Sequence, residues 1–346
     1  MVMAVKLKDV AARAGVSVQT VSNVIRGNHA HVGTATRRQV LEAIEDLNYQ
    51  PNTAARHLRN GRVGLIALAI PDLANPYYAD LGNAIVAAAA ARGYTVLLDH
   101  TRFDRASEYQ AIGGLRPHAI DGVILDPQAL ETSDLRTLQE RVPVVLVGEN
   151  LIDAPYDHVA VDNVGAARMA TRHLLALGRR RIAALGVDEA KTAGAAHLRT
   201  RGYSNALAEA GRAIDPRLLV SGHHWHREDG AQAMRALLTL DDPPDAVFCF
   251  NDLLALGAMR TLHEAGRRIP DDVAVVGYDD IDDGRFANPS LTTISPDKDE
   301  IGRLAVELLV GRIVGTRAGP PEHIEPPFQL RTRRSTLGPV GRVEAG

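Results

Sequence analysis

The chain has 346 residues, 45% of them hydrophobic, and a formal net charge of −3. This length predicts two or three domains, and the composition is ordinary for a soluble globular protein that buries sizeable cores. The charge is uneven, because residues 1–61 carry eight basic and four acidic side chains, a net +4 that leaves −7 for the remainder. A basic head on an acidic body indicates one nucleic-acid-binding domain and a second domain with another task.

Cys249 is the only cysteine, which excludes an intrachain disulfide and a cysteine-rich zinc site. Its flanks, residues 246–250, are typical of a buried strand, where a cysteine serves packing more often than chemistry. No apolar segment followed by a cleavage site opens the chain, and no apolar run is long enough to cross a membrane. We therefore expect no membrane partner and a cytoplasmic location.

The first predicted elements lie in residues 7–26, LKDVAARAGVSVQTVSNVIR, which indicate two short helices joined by a tight turn. Gly15 ends the first helix, and the Ser17 hydroxyl can cap the second. Each helix has one apolar stripe, formed by Val10, Ala11 and Ala14 in the first and by Val21, Val24 and Ile25 in the second. The outward residues of the second helix are small or amide-bearing and can bond base edges and phosphates: Val18, Gln19, Thr20, Ser22 and Asn23. The pattern predicts a helix-turn-helix with its recognition helix starting near Val18, although short helix pairs are common.

A third amphipathic helix follows over residues 34–47, capped by Gly33 or Thr34, and completes a small three-helix core. Its predicted apolar face consists of Val40, Leu41, Ile44 and Leu47. After Pro51, which discourages helix in the preceding residue, Asn52 can cap a short helix over residues 53–59. So short a helix is marginal alone in water, and a plain linker is the simpler interpretation for the free protein.

From residue 62 onward the hydrophobic period changes. The unbroken apolar run 63–70 predicts a strand buried on both faces. Helices and strands then alternate: helix 77–92, strand 94–99, helix 105–115, strand 122–126, helix 132–139 and strand 144–147. A second series begins near residue 161: helix 164–177, strand 181–186, helix 199–210, helix 228–238, strand 246–250, helix 252–264 and strand 273–278. This alternation predicts parallel βαβ units.

Polar side chains cluster at the predicted strand ends, where open α/β sheets bind ligands. They are Asp126, Asn251, Asp252, Asp279 and Asp280, together with Trp225 in a loop, Arg199 near a helix start, and Tyr77 and Tyr78 at the first turn of a helix. Simpler roles are about as plausible from the residues alone: helix N-caps for the acidic residues, core aromatics for the tyrosines and a surface cation for the arginine. His223, His224 and His226 could suggest a metal, but their spacing in a loop is weak evidence and favours pocket lining.

Several motifs in order resemble the lac repressor–galactose repressor (LacI/GalR) family. They are KDVAARAGVSVQTVSNVIRG, LNYQPNTAARHLRNG, IPDLANPYYADL, VAVDN, FNDLLALGAMR, IPDDVAVVGYDDI and PSLTTISPD. The resemblance extends from about Lys6 to Thr336. It implies an α/β fold class: a small all-α helix-turn-helix headpiece and a two-lobed, periplasmic-binding-protein-like core of doubly wound parallel sheets.

The same resemblance sets the expected domain limits. The headpiece covers 1–50, a hinge helix or linker 51–61, the effector-binding and dimerisation core 62–337, and a tail 338–346. The first lobe spans about 62–162 and 296–324, and the second about 163–295 and 325–337, with crossings near Asp162, Ser295 and Glu325. Since no leucine heptad closes the sequence, we expect a homodimer.

On DNA, the resemblance implies a pseudo-palindromic operator. Gln19 and Asn23 are expected to read bases and Val18 to touch a thymine methyl. Phosphate contacts are expected from Lys8, Ser17, Thr20, Ser22 and Thr36. Leu58 falls at the position of the family's apolar wedge, which enters the minor groove from a hinge helix that orders on DNA and pairs with its twin. The other expected DNA contacts are Leu7, His31, Tyr49, Asn52 and Ala55.

For the effector, the resemblance assigns Arg199, Trp225, Asn251 and Asp279 to a sugar between the lobes, with Tyr77, Tyr78, Asp126 and Glu149 facing it from the first lobe. Arg, Asn and Asp suit hydroxyl groups, and an indole face packs on a sugar ring. The chain departs from several relatives at Gly148, where they carry an aspartate, and Glu149 follows. This departure indicates a larger or repositioned ligand.

We therefore expect a non-enzymatic transcriptional regulator without a cofactor or a metal, acting as a repressor of carbohydrate-utilisation genes. Two other interpretations stay open: a carbohydrate-binding protein that does not bind DNA, and a sugar or nucleoside hydrolase on a similar fold. The first does not explain the basic head. The second lacks a nucleophile elbow, a Walker loop, a GxGxxG fingerprint and an HExxH run.

Overall fold

The protein is described by a computed structural model that covers residues 5–25, 32–47, 49, 62–113, 120–135, 142–151, 154–188, 193–222 and 224–338. These residues form two compact units, one ending at Gly64 and the other beginning at Leu65. The first unit contains helices α1 (Leu7–Ala14), α2 (Val18–Ile25) and α3 (Thr34–Asp46).

The turn between α1 and α2 follows from Gly15 and Ser17. Gly15 has φ 65°, a left-handed conformation that glycine adopts without strain, and its N–H bonds back to the end of α1. The Ser17 hydroxyl accepts the Thr20 N–H at 3.1 Å, which confirms the predicted cap. The three helices bury Val10, Ala11, Val21, Val24, Val40 and Ala43. Leu41, predicted inside, is 48% exposed, because Ala43 occupies the inward position.

The second unit contains two six-stranded sheets. The first has the order β11–β5–β4–β3–β1–β2 and is parallel throughout. Its strands are β1 (Leu65–Ile70), β2 (Thr95–His100), β3 (Gly122–Leu125), β4 (Val144–Val147), β5 (Asp157–Val159) and β11 (His323–Ile324). We call this sheet, with the helices packed on it, the first lobe.

The second sheet has the order β12–β10–β9–β8–β6–β7 and defines the second lobe. Its strands are β6 (Ile182–Val187), β7 (Leu219–Ser221), β8 (Ala246–Cys249), β9 (Ala274–Tyr278), β10 (Thr292–Pro296) and β12 (Phe328–Arg331). The sequence predicted a parallel sheet, and five of the six strands follow that prediction. The edge strand β12, however, runs antiparallel to β10. Cys249 is buried in β8, as expected.

Helices connect the strands in both lobes. Their bounds are α4 (Pro76–Ala91), α5 (Arg105–Gly113), α6 (Thr132–Leu135), α7 (Asn163–Ala176), α8 (Gly194–Glu209), a 3₁₀ turn (Pro216–Leu218), α9 (Arg227–Leu238), α10 (Asp252–Glu264), α11 (Asp282–Phe286), α12 (Lys298–Val314) and α13 (Arg334–Leu337). Within the ranges described above, none of these helices has both the length and the apolar character that a membrane crossing requires.

The chain enters and leaves each lobe more than once. After β10, in the second sheet, α12 returns to the first lobe and buries Ile301, Ala305, Val306, Leu308 and Leu309 against β1, β3 and α4. β11 then joins the first sheet and β12 the second. Each lobe is therefore built from segments far apart in sequence, and the connections between the lobes lie side by side.

Candidate functional site

A cavity of about 360 Å³ lies at the carboxyl ends of both sheets, within the size range of small-molecule sites. Strand register brings the strand-end residues together. Leu125 of β3 pairs with Leu146 of β4, so Asp126 and Gly148 reach the same edge of the first sheet. In the second lobe, Leu185 pairs with Cys249, and Phe248 with Val276, which places the following residues at the facing edge.

All eight residues singled out in the sequence as effector contacts line this one cavity. They are Tyr77, Tyr78, Asp126 and Glu149 from the first lobe, and Arg199, Trp225, Asn251 and Asp279 from the second. Gly148 and His224, which the sequence also indicated, line the cavity as well. Its other lining residues were not indicated by the sequence: Asp72, Asn75, Phe103, Gln128, Asn150, Val161, Asp188, Gly194, Ala195, Ala196, Gly222, Tyr278 and Pro296.

Arg199 is the buried cation of the cavity wall. Its Nε donates to Asn163 Oδ1 at 2.6 Å, Nη1 donates to the Phe250 carbonyl, and the guanidinium carbon lies 3.5 Å from the Tyr278 ring centroid. The prediction that it stands at a helix start is wrong, because α8 begins at Gly194. These contacts fix the plane of the guanidinium, so donors that remain face the cavity in a set direction.

Trp225 is held at the cavity by unusual backbone geometry. Its φ is 56°, which is rare for a residue with a side chain, and its carbonyl accepts the Asn251 amide N–H at 2.9 Å. The indole stands edge-on to Phe250, with ring centroids 6.0 Å apart. Asn251 also caps α10 by accepting the Leu254 N–H at 2.8 Å, so its amide orients the tryptophan and the helix together.

Two acidic residues predicted as simple N-caps have other roles. Asp252 is fully buried, one residue past the cap of α10, and accepts hydrogen bonds from Thr293 Oγ1 and the Ile281 N–H at 2.6 and 2.9 Å. Burial raises its pKa well above the usual range. Asp280 accepts bonds from Ser295 and Arg333 instead of capping a helix. Both predictions were wrong because cap position depends on backbone angles and not on residue type alone.

The first-lobe carboxylate Asp126 sits over Gly148. A Cβ at Gly148, whose φ is 86°, would lie 2.7 Å from Asp126 Oδ1, so the aspartate fills the space that a side chain would need. Gln128 Nε2 donates to the same oxygen at 2.6 Å. Burial, and then the charge of Glu149, raise the pKa of Asp126 well above its ordinary value. Asp126, which follows the adjacent strand, thus places a carboxylate beside position 148, where the family resemblance leads us to expect an aspartate.

Buried groups outside the cavity hold this part of the first lobe. Glu108 accepts the backbone N–H groups of Gln128, Ala129 and Leu130 at 2.8 to 3.1 Å. His158 Nε2 lies 2.6 Å from the Gly148 carbonyl oxygen, and burial lowers the pKa of this imidazole to about 4. A neutral imidazole at this distance donates its N–H to the carbonyl. Glu108 and His158 thus hold the backbone of residues 128–130 and of Gly148, respectively.

The other polar side chains that line the cavity include two phenols and a further carboxyl group. Burial raises the pKa values of Tyr77 and Tyr78 well above 10, so both phenolic hydroxyls keep their protons. Burial also raises the pKa of Asp279 to about 7, although Arg199 and Lys298 lower it. Such a lining suits a ligand with many hydroxyl groups, each of which can both donate and accept.

Two close approaches cross the cleft between the lobes. His226 Nε2 lies 3.3 Å from Asp72 Oδ2, so this histidine has a carboxylate partner that the sequence did not indicate. A side chain at Gly194 would collide with the Asn150 amide. His224 lines the cavity, as predicted, whereas His223 lies outside the described residues. The part of the chain that the structure describes contains no group of histidines, cysteines and acids able to hold a metal.

The first unit presents the predicted DNA-contacting surface. Val18 is 46% exposed, and Gln19 donates to Asn23 Oδ1 at 3.2 Å on the outer face of α2. The other predicted contacts on this unit that reach its surface are Lys8, Ser17, Thr20, Ser22 and Thr36. Leu7 and Tyr49, also predicted to contact DNA, are half-buried and pack partly against the three-helix core. His31, Asn52, Ala55 and Leu58, with the whole predicted hinge, lie outside the described residues.

Comparison with known proteins decides the family. Residues 6–52 match the model of bacterial regulatory proteins of the lacI family, and residues 171–336 match a periplasmic binding protein-like domain. The HTH-type transcriptional repressor PurR of Mannheimia succiniciproducens is 34% identical over 309 residues, which are 89% of this chain and 91% of that one. The chain belongs to the lacI family of bacterial regulatory proteins.

Solved structures of similar regulators agree with this family. A complex of the transcriptional regulator CelR with cellobiose is 35% identical and superposes with a TM-score of 0.71, covering 96% of this chain and 99% of that one. The lac repressor dimer bound to operator and the anti-inducer ONPF is 30% identical with a TM-score of 0.74, again covering 96% and 99%. The expected helix-turn-helix region and the two parallel-sheet α/β lobes of the family are therefore confirmed.

Several lining residues that the sequence missed in this lacI-family regulator gave no signal of a binding site. Gly194 and Gly222 line the cavity with backbone, which carries no chemical signal in a single sequence. Gln128 and Asn150 stand three residues beyond strand ends, at positions where any loop residue can occur. Only Asp72 and Asp188, each shortly after an apolar strand, carried the same strand-end signal as Asp126.

Proposed function

We propose that this protein is a sequence-specific DNA-binding repressor of carbohydrate-utilisation genes, released from a pseudo-palindromic operator by a sugar bound between the lobes. The headpiece (1–50) would read the operator, residues 51–61 would form the hinge, and the core (62–337) would bind the effector and dimerise. The protein would bind its ligand without turning it over, and it would work in the cytoplasm, where the operator lies.

One observation carries the sugar part of the proposal. The eight residues chosen from strand ends and family resemblance surround a single cavity, in which acceptors, phenols, one oriented guanidinium and one indole face each other. A polyol satisfies such a mixture, because its hydroxyls complement directional polar groups and its C–H face packs on an aromatic ring. The related CelR structure holds cellobiose, which supports a neutral saccharide as the first candidate.

The DNA part of the proposal rests on the outer face of α2. Gln19 donates to Asn23 in the free headpiece, and the Gln19 Oε1 and Asn23 Nδ2 atoms keep their capacity to bond base edges. One headpiece covers only a half-site, so two copies are needed for a pseudo-palindrome. Leu58 is proposed to enter the minor groove between the half-sites and kink the duplex there.

Exposed apolar side chains on the core support a homodimer. Leu97 and Leu98 are 39% and 54% exposed on β2, the edge strand of the first sheet, and Phe286 of the second lobe is 78% exposed. An edge strand with exposed leucines promotes aggregation of a monomer, and a second copy that covers the strand prevents it. We propose that both lobes take part in a two-fold interface.

The effector would act by favouring one arrangement of the lobes. A ligand shifts an equilibrium only through different affinities for its two states, and this cavity draws its walls from both lobes. Contacts such as His226 with Asp72 would change as the cleft closes or opens. Movement of the first lobes at the dimer interface would separate the paired hinges, and the headpieces would no longer fit both half-sites.

Trp225 offers a direct test, because it is the only tryptophan and lines the cavity. Full-length protein is titrated with a panel that begins with cellobiose, while its emission and its affinity for a genomic operator fragment are followed. We expect one sugar to change the emission saturably and to release DNA over the same concentration range. A sugar that releases DNA while leaving the emission unchanged, with Trp225→Phe equally responsive, would place the effector elsewhere.

A further inference from the structure

The turn after β9 holds two consecutive residues in a backbone region that side chains disfavour. Asp279 has φ 116° and Asp280 has φ 53°, and neither is glycine. Such geometry persists only where surrounding contacts enforce it, and it concentrates at ligand-binding positions. The Asp279 carboxyl is buried and lines the cavity, and no hydrogen-bond donor reaches it among the described residues. Its backbone N–H, in contrast, is anchored to the Ile294 carbonyl at 2.9 Å.

Lys298 is a cation that holds the backbone of this turn from the side away from the cavity, whereas Arg333 binds the side chain of Asp280. Its Nζ donates to the carbonyls of Asp279 and Asp280 at 2.7 and 3.1 Å and lies 3.2 Å from Asp80 Oδ2. The three N–H groups of an ammonium therefore meet three oxygens, which uses its whole donor capacity. The side chain is only 15% exposed and is not part of the cavity lining.

The partners of Lys298 come from both lobes. Asp279 and Asp280 follow β9 of the second sheet, whereas Asp80 belongs to α4 of the first lobe. Lys298 itself opens α12, the helix that returns the chain to the first lobe. The first turn of α4 carries Tyr77 and Tyr78 into the opposite wall of the cavity. One ammonium thus connects a ligand-facing turn of one lobe to the helix that supplies tyrosines from the other.

We propose that Lys298 is a positioning residue for the effector: it fixes the Asp279–Asp280 turn so that the Asp279 carboxylate faces the ligand, and it links that turn to α4. This inference rests on the proposed function of the cavity as an effector site. Without the ammonium, two carbonyls of a strained turn lose their donor, and the turn can relax toward ordinary backbone angles. The carboxylate would then leave the position from which it accepts a ligand hydroxyl.

The charge of Lys298 also acts on Asp279. Burial raises the pKa of this carboxyl to about 7, Arg199 and Lys298 lower it, and Glu149 and Asp80 raise it. The other ionisable groups that interact with it are Tyr77, Tyr78, Asp252 and Tyr278. Replacing Lys298 by a neutral residue removes one of two favourable charges, so the pKa of Asp279 rises and less carboxylate is present at neutral pH.

The test is a pH titration of Asp279 in full-length protein carrying ¹³C-labelled aspartate. The Asp279 carboxyl resonance is identified by its loss in Asp279→Asn. We expect a higher midpoint in Lys298→Met, which keeps the length of the side chain, and an unchanged midpoint in Arg303→Met. Arg303 lies on the same helix but forms exposed ion pairs with Glu300 and Glu307, so it is the matched control.

An unchanged midpoint in folded Lys298→Met would overturn the proposal. If this variant does not fold, Asp80→Asn takes its place; its side chain is 43% exposed, and the midpoint should fall because the charge of Asp80 raises the pKa of Asp279. If Asp279 titrates with the same midpoint in Asp80→Asn as in the wild type, the proposal is likewise overturned. The titration uses no effector, so its result stands even if no sugar binds.

A binding measurement then links the titration to the effector. With cellobiose, or with the sugar that replaces it in the Trp225 screen, Lys298→Met should bind about tenfold more weakly, as for one lost hydrogen bond to a charged group. Arg303→Met should bind like the wild type. Equal affinities in both variants would show that Lys298 serves stability alone, whereas a wild type that binds no sugar would count against the proposed function and not against the titration.

Discussion

Replacing Asp279 by asparagine should stabilise the protein while removing its response to effector. The pKa of Asp279 is about 7 in the folded chain, against an ordinary value of 3.8. An unfolded chain therefore releases this proton at lower pH than the native protein does. The stability that the protonated group contributes is complete below pH 3.8 and is lost as the pH rises to 7.

The size of the effect follows from that difference. At about 1.4 kcal/mol per pH unit, an ionised Asp279 costs the folded state roughly 4 kcal/mol at pH 8, as an upper value. Asparagine has nearly the same shape and no charge, so Asp279→Asn escapes this cost. For a core of this size, the gain corresponds to a rise in melting temperature on the order of 10 °C at pH 8, shrinking toward zero near pH 4.

Calorimetric melting of wild type and Asp279→Asn at pH 5 and pH 8 measures this difference. Asp283→Asn is the matched control, because Asp283 is 45% exposed in a surface pair with Arg227, and its loss should change the unfolding free energy by less than about 1 kcal/mol. In parallel, Asp279→Asn should show no sugar-dependent change in Trp225 emission. A variant that melts lower than wild type at pH 8, or whose advantage does not shrink at pH 5, would refute the reasoning.

Four further predictions concern DNA, the hinge, acid stability and assembly. Replacing Gln19 or Asn23 by alanine should change operator preference by roughly 1–3 kcal/mol per lost bidentate contact, and footprints with unchanged preference in both variants would contradict their assignment. Leu58→Ala should weaken operator binding and reduce DNA bending while sugar binding persists; equal bend angles in a gel assay would count against the wedge. The pKa of His158, about 4 against an ordinary 6.5, means that the unfolded chain takes up a proton first as the pH falls. As the pH falls from 6.5 to 4, the unfolding free energy of the wild type should therefore drop by about 1.4 kcal/mol per pH unit more than that of His158→Gln. Denaturant unfolding that gives the same pH dependence of the unfolding free energy for both proteins would exclude this. Sedimentation should give a dimer, and Leu98→Glu on the edge strand should shift it toward monomer; a wild-type tetramer independent of salt would be inconsistent with the proposed interface.

Much of the fold follows from the alternation of apolar runs and helical periods between residues 62 and 278. The helix over residues 298–314 escaped this reasoning because it packs against a sheet on one side and α4 on another, so its apolar residues surround it and leave no one-sided period. The short strands at residues 157–159 and 323–324 hold too few residues for alternation to show. Their place in the sheet comes from neighbours distant in sequence.

Some residues of the cavity could likewise be predicted from the sequence, and others could not. Strand-end acids such as Asp126 and Asp279 were visible because the end of a parallel strand is a known position for ligand groups. The start of α8 was misplaced, since its N-cap is Ala193 and residues 194–196 carry no capping side chain. Lys298 was invisible from the sequence, because its importance depends on backbone carbonyls that only the fold brings within reach.

The return of α12 to the first lobe has a consequence for synthesis. Strands β1 to β5 leave the ribosome before the second lobe, yet the apolar residues that cover one face of them, among them Ile301, Val306 and Leu309, come after β10. At the usual rate of roughly 5–20 residues per second, this face waits on the order of ten seconds for its cover. A nascent chain in that interval exposes a sheet rich in valine, isoleucine and leucine, which chaperones recognise. One face of the first lobe, which is synthesised first, is thus covered only after most of the second lobe has been made.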